Sequence, residues 1–247
     1  MGRRLTRSRL SRALAALAIG LLLASPASSA GQYCGPEPKA VPPQDGPFWK
    51  PMTFTVKKVT GGRIMRVEGK VGPNDGAALE AQLARAGNID EVWLSSPGGS
   101  VTGGLAIGRV LRKRGLMVRI ANDDMCISSC TLAFLGGTVR TIDSTAYYGI
   151  HMFSEFSDDR AAAYFNDLVK IANNAPKTGQ DKVIYELRER FRSLEQASAQ
   201  DAAALAAYLI EMSASLEFLT GMFGQEQVGV CYVTPAGLKR YNIVNLQ

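Results

Sequence analysis

One histidine stands in the 247 residues, beside four cysteines and two tryptophans. With a single imidazole and no CxxC spacing among the cysteines, a zinc or other transition-metal centre has too few ligands, so no metal and no cofactor are expected. There is no internal repeat and no low-complexity tract, which excludes solenoids and disordered scaffolds. Acid is missing from the first thirty residues. Apolar runs of membrane-spanning length are missing from the whole chain, since spanning takes about 20 residues and the longest run, Ala13 to Ala24, is shorter.

The formal charge of +6 invites a nucleic-acid reading, but its distribution removes it. Arg3, Arg4, Arg7, Arg9 and Arg12 carry five of those charges, and without them the net is +1. A chain so close to neutral does not draw a polyanion by its field, so no nucleic-acid partner is expected. Those arginines instead precede the apolar run, and small residues follow to Ala30. Basic start, short hydrophobic stretch and small-residue exit make residues 1–30 a secretory signal peptide, with an uncleaved anchor as the competing reading and the sole route to a membrane. The destination is the periplasm or the exterior. In that oxidising setting Cys34, Cys126, Cys130 and Cys231 are disulfide candidates, and three pairings are open.

Residues 31–52 are rich in Pro and Gly and read as an irregular leader to a domain over 53–247. Extended segments Thr53–Val59 and Arg63–Val71 flank the turn Thr60-Gly61-Gly62. Helix is expected over Gly76–Ala86 and Thr102–Arg114, with strands at Glu91–Ser95 and Leu116–Ala121. A short helix over Ser128–Leu135 precedes strands at Val139–Ile142 and Ala146–Ile150. Strand–helix–strand in succession implies a parallel sheet with helices outside. Asp158–Met222 is helical in composition, with breaks expected near Asn173–Gly179 and Ser193–Gln200. The tail from Cys231 to Val244 reads as strand and turn.

Acyl hydrolysis by serine needs a nucleophile, a base, something to orient the base, and N–H donors for the oxyanion. Gly98-Gly99, between a strand and a helix, lets the backbone approach a substrate closely; the plain alternative is a turn capped by Ser100 or Thr102. Ser128 opens a helix, where the local field is positive, and its plain alternative is again a cap. His151 ends a strand after Tyr147-Tyr148-Gly149-Ile150, and any Ser–His mechanism must use it; otherwise it is a core histidine.

Four segments together, SSPGGSV from Ser95, MCISSCTLAFLGG from Met125, GIH ending at His151 and VTPAGLKRYNIVN from Val233, resemble the Clp protease proteolytic subunit. They are closer still to uncharacterised exported relatives that carry a Cys-x-Ser-x-Cys segment. The resemblance runs from about Met65 to Asn245 and is weak between Met152 and Gln227. It implies an α/β spiral of ββα units, the ClpP/crotonase-like fold, with a helical C-terminal half. It implies Ser128 as nucleophile, Ser129 and Gly98-Gly99 as the oxyanion residues, and His151 as base. Glu226 falls where the family has its aspartate, with Asp201 and Glu217 as alternatives. The resemblance further implies a peptide or protein substrate and allows a homo-oligomer. The cysteines flanking Ser128, where the family has small residues, suggest a disulfide locking the nucleophile turn. The long helical segment does not carry over the family's ring and chamber, and an exported chain has no ATP for a partner ATPase.

Two other readings compete. A Ser–Lys peptidase of the signal peptide peptidase A type, which shares the fold, would draw on Lys177 or Lys182. A non-catalytic binding or scaffold protein would keep the fold alone. Acyl-CoA chemistry is disfavoured by export. The first expectation is direct: N-terminal sequencing of the exported protein should begin just after Ala30, and a start at Met1 would favour the anchor.

Overall fold

The computed structural model describes residues 33–43, 45–152, 158–173, 180–224 and 229–246. The expected signal segment, residues 1–30, therefore lies outside the described residues. The leader contributes a two-residue strand, β1 (Cys34–Gly35), and a single 3-10 turn at Pro47–Trp49 whose Phe48 is buried. Next come β2 (Thr53–Val59) and β3 (Gly62–Glu68), an antiparallel hairpin turned at Gly61, whose φ of +105° suits glycine. Then α1 (Asp75–Ala86), β4 (Glu91–Ser95), α2 (Val101–Lys113), β5 (Met117–Ile120), β6 (Met125–Ile127) and α3 (Ser129–Leu135) follow. The chain continues through β7 (Val139–Ile142), β8 (Tyr147–Ile150), α4 (Asp158–Asn173), α5 (Gln180–Glu211), α6 (Glu217–Phe223), β9 (Cys231–Val233) and α7 (Pro235–Arg240).

Two sheets share this sequence. The larger runs β2-β3-β4-β5-β7, parallel from β3 onward, and the smaller runs β1-β9-β8-β6. After β4, each strand of the large sheet is followed by one in the small sheet and then a helix: β5, β6, α3, then β7, β8, α4. This is the α/β spiral of ββα units expected from the sequence. A parallel bridge between Ser96 and Cys126 joins the end of β4 to β6, so the two sheets meet where the site lies.

The apolar residues of β3, β4 and β5 (Val67, Val92, Val118) pack under α1 and α2 (Leu79, Leu83, Ile107, Leu111), and α3 is buried on every side. Burial of that kind supplies most of the folding free energy. Glycine makes the helix contact close: a Cβ on Gly104 of α2 would stand 2.4 Å from the Ser129 carbonyl oxygen. Two boundaries differ from the sequence expectation. Helix α5 runs unbroken through Ser193–Gln200, because neither Gly nor Pro occurs between Gln180 and Glu211 and the Ala, Glu and Gln there are good helix formers. The tail forms a short helix, α7, with Pro235 in its first turn and a cap from Thr234.

Arg140 is 1% exposed and has no carboxylate partner among the described residues. Its guanidinium donates to the carbonyls of Leu135 (3.1 Å), Met212 (3.2 Å), Asn242 (2.8 Å) and Ile243 (2.6 Å). These carbonyls follow or end α3, α5 and α7, so three negative helix ends converge on one cation. Burial, and then the nearby Arg112, lower its pKa to about 10, and it stays charged at neutral pH. Arg140 thus anchors the far end of α3, whose other end carries Ser128.

The cysteines pair as Cys34–Cys231 and Cys126–Cys130, one of the three arrangements left open. The first closes 197 residues and fixes the leader to β9, which pairs with β8. A loop that long implies stabilisation on the order of 5 kcal/mol by restricting the unfolded chain. Cys34→Ser/Cys231→Ser should therefore lower the melting temperature by roughly 10 °C or more in calorimetry, and an unchanged transition would contradict this.

Candidate active site

Strand pairing explains how residues far apart in sequence meet. Strands β6 and β8 are parallel, with Cys126 opposite Tyr148 and Ile127 opposite Gly149. One step further, the Ser128 N–H donates to the Gly149 carbonyl at 2.9 Å, and His151 follows Ile150 at the end of β8. Both residues line one small, partly open cavity with Val101, Ser129, Thr131, Leu132, Ile150 and Met222. Its volume is about 10 Å³, room for about one water molecule.

Ser128 links β6 to α3 at φ +58° and ψ −129°. Few non-glycine residues adopt this region, which costs on the order of 1–3 kcal/mol and persists only where the surroundings impose it. A strand–Ser–helix bend of this kind pushes the hydroxyl out of the main-chain path. Although Ser128 occupies the N-cap position, its side chain makes no capping hydrogen bond. Ser100 and Thr234 behave differently: their hydroxyls accept from Gly103 N and Gly237 N, as caps do. The first turn of α3 is instead closed by Thr131, whose Oγ1 and N–H both donate to the Ser128 carbonyl, at 2.5 and 2.9 Å. The Ser128 hydroxyl is left without a structural task, and the capping reading gives way at this position.

Gly98 faces the bend, while Gly99 packs against the Val71 main chain. Gly98 (φ +91°) and Gly99 (φ +141°) both use backbone open to glycine. A Cβ on Gly98 would lie 2.5 Å from the Ser128 Cβ, 2.6 Å from the Ile127 oxygen and 3.0 Å from the Ser129 nitrogen. Ser129 is the first residue of α3, where an N–H has no intrahelical acceptor. The Gly98 N–H donates to Ser96 Oγ at 3.1 Å. Ser129 Oγ is itself buried with no hydrogen-bond partner.

His151 is half-buried, and its Nδ1 lies 2.7 Å from the Met152 carbonyl oxygen. A carbonyl only accepts, so in the neutral imidazole this contact puts the proton on Nδ1 and the lone pair on Nε2. Among the described residues no carboxylate is hydrogen-bonded to His151. Glu226 lies outside the described residues. Glu217 is engaged with Arg240 through both carboxylate oxygens at 2.6 Å, so that alternative is spent on the surface. Asp201 sits on α5 and does not line the cavity. Lys182, at the start of α5, is exposed and does not line the cavity either, while Lys177 lies outside the described residues.

No protein-family model and no curated protein matches this sequence. Among solved structures the chain is similar to a ClpP1 mutant from Listeria monocytogenes. The TM-score is 0.42 and the identity 16%, over 74% of this chain and 88% of that one.

Around this bend lie participants that the sequence reading missed. Thr131 was legible in principle, since a hydroxyl three residues into a helix can close its first turn. Ser96 and Met222 had no signal, because their places follow from sheet crossing and from the packing of α6. Among the described residues no group of acids, histidines or cysteines is arranged to hold a metal, and the buried hydroxyls of Tyr148 and Tyr208 donate to the Thr131 and Leu132 carbonyls of α3. A larger cavity of about 550 Å³, between β7, β8, β9 and α7, holds neither the serine nor the histidine. Gly98→Ala should destabilise the protein by about 2 kcal/mol or more, from both the positive φ and the clash with Ser128. Denaturant unfolding reads this, and a neutral substitution would mean the contact is looser than described.

Proposed function

We propose that the protein is an exported serine hydrolase, a peptidase in its substrate class, with Ser128 as nucleophile and His151 as base. The observation that carries this reading is the Ser128 hydroxyl: it caps nothing, sits on an enforced bend, and shares one small cavity with the single histidine of the chain. In the proposed reaction His151 Nε2 takes the Ser128 proton as Oγ attacks an amide or ester carbonyl. The oxyanion is received by the N–H of Ser129 and by the Gly98-Gly99 pair, Gly98 exchanging its Ser96 hydroxyl for it. His151 then protonates the leaving group, and water repeats the cycle on the acyl-enzyme. Glu226, outside the described residues, is the acid we propose for the triad. No cofactor and no nucleotide enter.

Export is supported by the two disulfides and by the N-terminal sequence pattern, and no helix among the described residues is long and apolar enough to cross a membrane. A homo-oligomer is proposed on exposed apolar residues of α4 and α5, where Phe165 and Phe191 are 62% and 53% exposed. The Ser–Lys alternative loses support from the exposure of Lys182. The scaffold reading keeps the fold and predicts no reactivity.

A fluorophosphonate probe separates these. Ser128→Ala should abolish labelling and Ser129→Ala should keep most of it, while His151→Gln should slow it by on the order of 10⁴-fold with little change in melting temperature. Equal loss in both serine variants, with folding intact, would refute the assignment, and a fully reactive His151→Gln protein would refute the base.

A further inference from the structure

The two disulfides differ in what they can do. Cys34–Cys231 closes 197 residues and restrains the unfolded chain strongly, whereas Cys126–Cys130 closes only 4. A bridge that short removes little conformational freedom from an unfolded chain, so its effect must be local. Its locality is specific: Cys126 lies in β6, two residues before Ser128, and Cys130 lies in α3, two residues after it. The bridge spans the bend itself. Both cysteines are buried, at 0% and 2% exposure, with their Cα atoms 5.3 Å apart.

We propose that the Cys126–Cys130 disulfide is the positioning element of the candidate nucleophile, so that the site becomes competent only after oxidation on export. This rests on the reading of Ser128 as nucleophile. Without the bond the sulfurs separate to van der Waals distance, and strand and helix lose their covalent tie on either side of a residue held at φ +58°. The bend relaxes, and with it the placement of Ser128 Oγ against His151. Gly98 and Gly104 pack against this same segment, so the displacement reaches the oxyanion side as well. In a reducing compartment the pair stays as two thiols and the chain is inert. Oxidation breaks two S–H bonds and forms one S–S bond. The two protons and two electrons pass to a protein or small-molecule disulfide, which is reduced to two thiols. Burial then shields the bond, so the step runs one way under exported conditions.

The test uses the full chain, exported and oxidised, beside Cys126→Ser/Cys130→Ser, Cys126→Ala/Cys130→Ala and Cys34→Ser/Cys231→Ser. Two readouts are taken: the rate of fluorophosphonate labelling, and amide exchange over Ser128 to Thr131. The elbow variants should label roughly 100-fold more slowly than the parent and exchange faster at the bend. Loss of Cys34–Cys231 should cost more in melting temperature yet leave the labelling rate of the folded protein in place. Labelling within about threefold of the parent in either elbow variant, or unchanged exchange, overturns the proposal. Failure of both elbow variants to fold also overturns it, because the bridge would then be structural. If the oxidised parent does not label at all, the hydrolase reading falls, and the exchange comparison alone decides whether the bridge holds the bend.

Discussion

A single residue, Ser128, has to turn the chain from a strand into a helix at φ +58°, a conformation that L-residues resist. The surrounding elements can be read as what enforces that turn. Strand β8 holds its N–H through the Gly149 carbonyl, Thr131 holds its carbonyl, and the β4 end is stitched to β6 through the Ser96–Met125 and Ile127–Ser96 hydrogen bonds. Further along, Arg140 fixes the C-terminal end of the same helix by gathering the carbonyl ends of three helices. A helix anchored at its far end and clipped at its near end cannot rotate to relieve the residue at its N-cap position.

Electrostatics and close packing divide the work. At the far end of α3 a buried cation without a carboxylate is tolerated because carbonyl dipoles replace its hydration. At the near end no charge is buried; glycines at 98 and 104 let main chain approach main chain, and the N–H groups of a helix start remain for a developing negative charge. The histidine is supplied by β8, which the parallel register brings alongside β6, so the proposed base and nucleophile are placed by sheet pairing. Met222, from α6, lines the same small cavity.

Much of this was legible in the residues. Alternating strand and helix patterns point to the parallel sheet, and Gly98-Gly99, Ser128 and His151 stand out by residue type and by their place at the ends of its strands. The order of elements from β2 to β8 followed, apart from the three-residue strand β6, because apolar strands and glycine-bounded helices have strong local signals. Three further features were not legible. Helix α5 was expected to break at Ser193–Gln200, where small polar residues weaken the pattern but nothing stops the helix. The orientation of His151 by the Met152 carbonyl was hidden too, since main-chain acceptors carry no residue code. Disulfide connectivity also needs space: four cysteines in a row of sequence do not say that Cys34 reaches β9.

The most direct test of the central claim is a crystal structure of the phosphonylated protein. The account predicts phosphorus bonded to Ser128 Oγ, its oxygen accepting N–H donors from Ser129 and from the Gly98-Gly99 segment, and His151 Nε2 within hydrogen-bonding reach of the adduct. Phosphorus on another residue, or on Ser128 with its oxygen turned away from those amides and His151 out of reach, would contradict it.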